Sequence, residues 1–594
     1  MSELISQYKS LKKKFDNQKH DKATISTTIR LFKSLVIQFD GQEEGGDCPV
    51  DPQLLDAVVR LCLVDLLPAI HQFLRLPPPT AKTDESAGQK LFNPSKSNKW
   101  PKLAGSLKVY LGSMLKLMDA SADPSIVTKL LRHILYLIPF YLQYLNLTKH
   151  LLKRAMVIWS QGSETNRILA FLIILRLMRQ QESEMIGFIM KKLYLSYVKN
   201  CKIVSKQTLP MINFMQQSLV ELYSLDQGVA YQHAFVFTRQ CAITLRNAYS
   251  SKEEDVSKPI CNSQYLQSLL LWSRLLTCLQ PSEVLKPLIH PLVQVMTGTI
   301  KHLPIARFYP LRFHIIKALI KLSIASKTFI PILPLIIEVL DEIHYNEKLK
   351  VGGNKLDLDC LTRVSQQVTH DRSFIDACVN RCHDLILEYL ASYSYSIAFP
   401  ELVCFPIIKI KKFNKSCKKK SHGRMMKKLL DKIEENAKMI EMKRKSVSFS
   451  LQDSQSINQW ENEVRDKGTP LVQYFEEHSK IRAKEMEEQL KQEETERKKA
   501  EKRAKKSRKM DFEEESGEDD EMVDDDQEDE YDDEDDGDDD GDDDQDDQDE
   551  SMSDQSSVVD RDGSEEFMFG SSESDDESED GSPQPGPSKK KRRL

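Results

Sequence analysis

Cys378, Cys382 and His383, with His370 upstream, set two soft thiols beside imidazoles at a spacing that a metal ion could use. A structural zinc site closes with a second matched pair of ligands, and none follows here. One helix face carrying small, soft side chains explains the same residues, so no metal and no cofactor is expected. His314, inside Tyr309-Pro310-Leu311-Arg312-Phe313-His314, is the most tempting general base. It lacks a neighbouring Cys, Ser or carboxylate pattern, and a hydrogen-bonded core or interface histidine accounts for it. No Gly-Lys pair occurs, which rules out a Walker loop, and GxGxxG, GxSxG and HExxH are missing too. The chain is therefore not expected to be an enzyme.

The positive signal is charge. Between Asp511 and Gly581 there are 40 acids and one base, Arg561, and the last six residues hold five bases. The first 510 residues are left with 78 Lys and Arg against 51 Asp and Glu, a net +27. A basic body of this kind implies an anionic partner, most often nucleic acid. The densest run is Lys409, Lys411, Lys412, Lys415, Lys418, Lys419, Lys420, Arg424, Lys427 and Lys428, ten bases without an acid. Such a cluster suits contact with phosphates, each of which releases counterions when neutralised. Only Phe413 is aromatic there, so the stacking platform of a base reader is missing. A solvated basic face or an import signal explains the same run. Lys502, Arg503, Lys505 and Lys506, and the terminal Lys589, Lys590, Lys591, Arg592 and Arg593, fit nuclear localisation sequences. In the acidic tail, Ser571, Ser572, Ser574 and Ser578 are candidates for an acid-directed kinase. That tail reads either as a polyanion mimic for basic partners or as a solubility device.

These residues must be carried by helices. Only Gly112, Gly162, Gly187 and Gly228 lie between Ser106 and Thr297, too few for the turns of a βαβ protein. Asp123-Pro124 opens a helix with Ile126, Leu130, Ile134 and Leu137 on one face, and Pro139 is expected to end it. Ile168 to Leu175 is apolar all round and is expected to be buried on every side. Further helices are predicted near Thr208–Tyr223, Gly228–Tyr249, Gln264–Leu279, Glu283–His302, Ile305–Ile324 and Thr328–Ile343. Their spacing makes hairpins of about forty residues, the repeat of HEAT and armadillo arrays. A single core stops growing near 250 to 300 residues, whereas stacked pairs need not. The reading is all-α: an irregular HEAT/armadillo-like α-solenoid with a charged C-terminal helix and a disordered acidic tail. Its parts are an N-terminal helical segment (1–75), a polar loop (76–104), a repeat core (105–350), C-terminal solenoid helices (351–408), a basic segment (409–468), a charged single helix (469–510) and the tail (511–594). The opening residues lack the apolar stretch of a secretory signal, and the apolar runs stop short of a membrane span, so the chain reads as soluble and intracellular. The 11 scattered cysteines agree.

Long phrases then become legible: LYLSYVKNCK (Leu193 to Lys202), TLPMINFMQQSLVELYSLDQGVAYQHAFVFTRQCAITLRNA (Thr208 to Ala248), SIAFPELVCFPIIKIKKFNK (Ser396 to Lys415) and GTPLVQYF (Gly468 to Phe475). From about Leu107 to about Arg482 the chain resembles the nucleolar complex protein 2 family. The resemblance implies a non-enzymatic solenoid of the nucleolus and nucleoplasm that assists assembly and intranuclear transport of large (60S) ribosomal subunit precursors. It implies heterodimers with the sister nucleolar complex proteins one and three, on particles that contain pre-rRNA. An alternative it implies is a corepressor that binds histones and inhibits their acetylation. No membrane and no small-molecule substrate is expected. In such a solenoid, Arg239, Arg246, Tyr309, Arg312 and His314 look misplaced for a core, and either mark a partner groove or pair internally. Lys409, Lys411, Lys412, Lys415, Lys418, Lys419, Lys420 and Arg424 would anchor the particle's RNA.

Overall fold

The computed structural model describes residues 2–16, 21–40, 52–77, 92–121, 123–180, 183–250, 259–343, 356–448, 450 and 452–514. Among them there are helices and turns and no strand. The chain divides into two units, Met1–Arg482 and Ala483–Leu594.

The first unit is an irregular α-solenoid. Its opening helices are α1 (Ser2–Asp16), α2 (Lys22–Asp40), α3 (Pro52–Leu61) and α4 (Leu67–Leu74), the last two joined by one π turn. Asp56–Leu74 is long and apolar enough to cross a membrane, contrary to the expectation that no run reaches that length. Its apolarity is that of a core helix, with Leu61, Cys62, Leu66, Ala69 and Ile70 at 4% exposure or less. Next come α5 (Trp100–Ala120), α6 (Pro124–Tyr141), α7 (Leu145–Gln161), α8 (Glu164–Met178), α9 (Ser183–Asn200), α10 (Leu209–Tyr223), α11 (Gln227–Ser250) and α12 (Ser263–Cys278). They are followed by α13 (Ile289–His302), α14 (Tyr309–Ser326), α15 (Leu333–Glu342), α16 (Arg372–Tyr393), α17 (Phe399–Ser416), α18 (Lys420–Lys445), α19 (Ser454–Asp466) and α20 (Pro470–Glu514). Extensive packing joins helices close in sequence, such as α7 with α8, α12 with α14 and α17 with α18, as in stacked repeats.

Local chemistry sets the helix starts. The Asp123 carboxylate accepts from the Ser125 amide at 2.8 Å and Pro124 occupies the first turn of α6. Pro310 and Pro334 likewise sit in the first turns of α14 and α15, which is why these helices begin later than the apolar pattern suggested. α5 begins at Trp100, inside the segment expected to be a loop, because Pro101 fits its first turn.

Two expectations fail because of what neighbouring helices do and do not reach. Pro139 does not end α6, which continues to Tyr141. A helical proline displaces the carbonyl four residues back, and here Arg176 of α8 donates to that Leu135 carbonyl at 3.1 Å. α8 is not buried on every side either: Ile168 is 50% and Leu172 36% exposed, since α6 and α7 cover only the face bearing Ala170, Ile173, Ile174 and Leu177.

Trp272 of α12 anchors the middle of the unit. It packs with Tyr194 of α9, Tyr223 of α10 and Phe237 of α11 at centroid distances of 5.3, 5.5 and 5.8 Å. The polar ends of the tyrosines are satisfied in place; Tyr194 Oη lies 2.7 Å from Ser268 Oγ. Close approach also matters: a Cβ on Gly298 of α13 would lie 2.9 Å from Leu245 of α11.

The second unit is described through Glu514, within α20. This stretch is the charged helix that the alternating Glu and Lys/Arg imply, with Glu487 and Lys491 paired at 2.8 Å one turn apart.

Candidate nucleic-acid interface

The ten-base run occupies the hairpin of α17 and α18. α17 turns Phe399, Val403, Pro406, Ile410 and Phe413 inward, positions that recur at helical spacing. α18 does the same with His422, Met426, Leu429 and Ile433. The lysines between these apolar positions are thereby forced outward, and a three-residue link, Cys417 to Lys419, joins the helices.

Folding then sorts the bases into two groups. Lys409 Nζ lies 2.6 Å from Asp341 Oδ2, with Lys412 3.9 Å from the same carboxylate. Lys411 pairs with Glu434 at 2.7 Å and Lys419 with Asp376 at 2.5 Å. Asp376 also takes the buried His422 at 3.2 Å, where burial and the Lys419 cation hold the imidazole below its usual range. Lys428 stands 4.9 Å over the Tyr474 ring. Lys415, Lys420, Arg424 and Lys427 form the second group: all are exposed, and no carboxylate of the described residues comes within ion-pair distance of them. Lys418 is exposed beside them. The run without acids in sequence is thus partly neutralised in space, by Asp341, Glu434 and Asp376 from α15, α18 and α16. Nothing local to the run signals the first and third of these.

An aromatic side chain is also present that the run itself did not include. Phe413 is buried at 5%, whereas Phe405, one turn before Lys409, is 46% exposed. The positions 401, 405, 408, 412 and 415 share one helix face, and that periodicity was the signal that could have found it.

The remaining candidates separate clearly. Arg239 and Arg246 lie exposed on α11, beside Phe235 (47%) and Val236 (56%). Tyr309, Arg312 and His314 pair internally. Tyr309 Oη donates to Glu342 at 2.9 Å, and burial, then that acceptor, raise its phenol. Arg312 is 1% exposed, donates to the Leu335 carbonyl from two nitrogens and meets Glu338. His314 Nε2 is 2.9 Å from the Leu361 carbonyl, and burial lowers its pKa.

Cys378, Cys382 and His383 are fully buried on α16, and burial pushes both thiols well above their usual range. His370 is exposed and apart from them. The structure instead brings His383 and Asp384 together with His478 of α20: His383 Nδ1 is 3.1 Å and His478 Nε2 3.6 Å from Asp384 Oδ1. Arg482 donates to the other oxygen at 3.2 Å. Burial would raise the Asp384 carboxyl, but the His383 hydrogen bond and the Arg482 charge outweigh it and hold it low. With a guanidinium already on the carboxylate, the group reads as a polar tie between α16 and the first turns of α20. Side chains of Lys502, Arg503, Lys505 and Lys506, and the whole of Ser571 to Ser578 and Lys589 to Arg593, lie outside the described residues.

A model of the Noc2p family matches residues 184–478. The Nucleolar complex protein 2 of Drosophila melanogaster is 39% identical over 423 residues, covering 71% of this chain and 54% of that protein. The Nucleolar complex-associated protein 2 of Arabidopsis thaliana is 29% identical over 425 residues, covering 71% of this chain and 55% of that protein. The chain thus spans about half the length of these relatives. Among solved structures, a circular tandem repeat protein covers 74% of this chain at 12% identity, with a TM-score of 0.24 that is too low to bear on the fold.

Proposed function

Since the chain belongs to the Noc2p family, we propose that it is a non-enzymatic ribosome-biogenesis scaffold of the nucleolus and nucleoplasm. In this reading the solenoid pairs with sister nucleolar complex proteins one and three, and holds large-subunit precursors through the phosphates of their RNA. The names of the relatives support the compartment and the kind of complex.

The observation that carries the RNA contact is the second group of bases. Lys415, Lys420, Arg424 and Lys427 come from both arms of one hairpin and stand exposed, with no acid of the described residues at ion-pair distance. A cation already paired with a carboxylate gains little from a phosphate, whereas an exposed one releases counterions on contact. The rigid, buried faces of α17 and α18 hold these side chains in one region without ordering a loop first. The face of α11 that carries Arg239, Arg246, Phe235 and Val236 is the proposed seat of a sister protein, with apolar contact at its centre and charge at its rim.

The test is titration of RNA against the full chain at several salt concentrations. Converting Lys415, Lys420 and Arg424 to Glu should weaken binding to every RNA sequence and flatten the salt slope by roughly 2, since each single-strand phosphate contact contributes about 0.7. Converting the acid-paired Lys409 and Lys419 should do much less. Equal effects of the two sets, or none, would contradict the reading.

A further inference from the structure

The kind of RNA that this hairpin takes follows from what stands beside its lysines. On α17 the outward face runs from Cys404 and Phe405 through Ile408 to Lys412 and Lys415. Phe405 is 46% and Ile408 67% exposed, in a protein that buries most of its large apolar side chains. Lys409 Nζ stands over the Phe405 ring, 5.7 Å from its centroid, while paired with Asp341, so one face of the ring carries a fixed cation and a base would take the other. The Lys412 side chain is 70% exposed one turn further on, and Lys415 is exposed beyond it.

We propose that Phe405 is a stacking platform for an unpaired RNA base, with Lys415 on the phosphate of an adjoining nucleotide, so that the hairpin selects single-stranded over duplex RNA. The proposal rests on the RNA reading above and narrows it to a substrate class. Four features favour this occupant. Every base has a π face, and one exposed ring suffices to stack it. In duplex RNA the bases are stacked on one another and their planes are closed to a side chain, so a duplex would use the lysines and leave Phe405 idle. A protein partner is disfavoured by size: the exposed apolar group is three side chains, against the ~800 Å² per partner of a stable interface. The exposed Lys415 that follows it along the helix matches a polyanion.

The experiment compares Phe405→Ala and Phe405→Trp in the full chain, using an unstructured oligoribonucleotide and a hairpin duplex of equal charge. Phe405→Ala should weaken single-strand binding by roughly tenfold and leave duplex binding within about twofold, with an unchanged salt slope. Phe405→Trp should retain or tighten single-strand binding. The exposure of the side chain means that neither variant should alter the helical circular dichroism, which checks folding. If Phe405→Ala weakens both RNAs equally, weakens neither, or instead releases a co-purifying protein, the stacking proposal fails. The wider reading is judged separately: a flat response of both RNAs to the Lys415, Lys420 and Arg424 substitutions would sink it, whatever Phe405 does.

Discussion

At Arg312 a guanidinium with 1% exposure is held by the Leu335 carbonyl and by Glu338, which is itself 47% exposed. The asymmetry predicts unequal costs. Arg312→Ala leaves a cavity and strips a buried acceptor, and should lower the stability by about 3 kcal/mol in urea unfolding. Glu338→Gln should cost less than half as much, because the glutamate can turn to water; equal losses would contradict this. His133 makes a pH prediction. It is buried against the Tyr110 hydroxyl at 2.9 Å, and burial lowers its pKa to about 4. The unfolded chain takes up that proton near 6.5. Stability from this residue is therefore complete above about 6.5 and is lost as the pH falls from there towards 4. The loss at pH 5 amounts to roughly 2 kcal/mol. His133→Gln should flatten that part of the profile of melting temperature against pH. At this scale the sequence showed that Arg312 and His314 were out of place among apolar neighbours. It did not show the direction they turn, since their partners lie 23 to 47 residues later, one on α15 and one in the connection after it.

Elements were legible where their own residues decide them. Asp123-Pro124, Pro310 and Pro334 fix helix starts by local chemistry, and the apolar spacing of α10, α11 and α12 placed those helices to within one residue of the structure. Elements were misread where another helix intervenes, as Arg176 does at Pro139 and as the one-sided cover of α8 does at Ile168. Two predictions belong here. Trp272→Ala removes the shared contact of α9 to α12 and should cost about 3 to 5 kcal/mol in unfolding by chemical denaturant. A loss below about 1 kcal/mol would show that the four helices do not depend on it. Gly468, at φ +74°, makes the turn between α19 and α20. Gly468→Ala should cost about 1 to 2 kcal/mol and raise hydrogen exchange at Leu471 to Arg482, because a Cβ disfavours that conformation. Unchanged exchange there would argue that the turn carries no strain.

Across the whole chain, the contrast between a basic body and an acidic tail could be counted directly from the residues, and the long family phrases pointed to the solenoid. What counting missed is spatial pairing: Asp341 and Asp376 approach the lysine run from 68 and 43 residues upstream and withdraw part of its charge. The charge left over is confined to Lys415, Lys420, Arg424 and Lys427, with Phe405 on the adjoining face. A scaffold that works by holding polyanionic cargo should therefore meet RNA at this one hairpin. The direct measurement is ultraviolet cross-linking of the full chain to RNA in isolated nuclei, with the modified peptides mapped by mass spectrometry. Cross-links concentrated between Cys404 and Lys428, on RNA that includes large-subunit precursors, are the predicted result. Cross-links confined to other helices, or recovery of the chain without RNA, would contradict it.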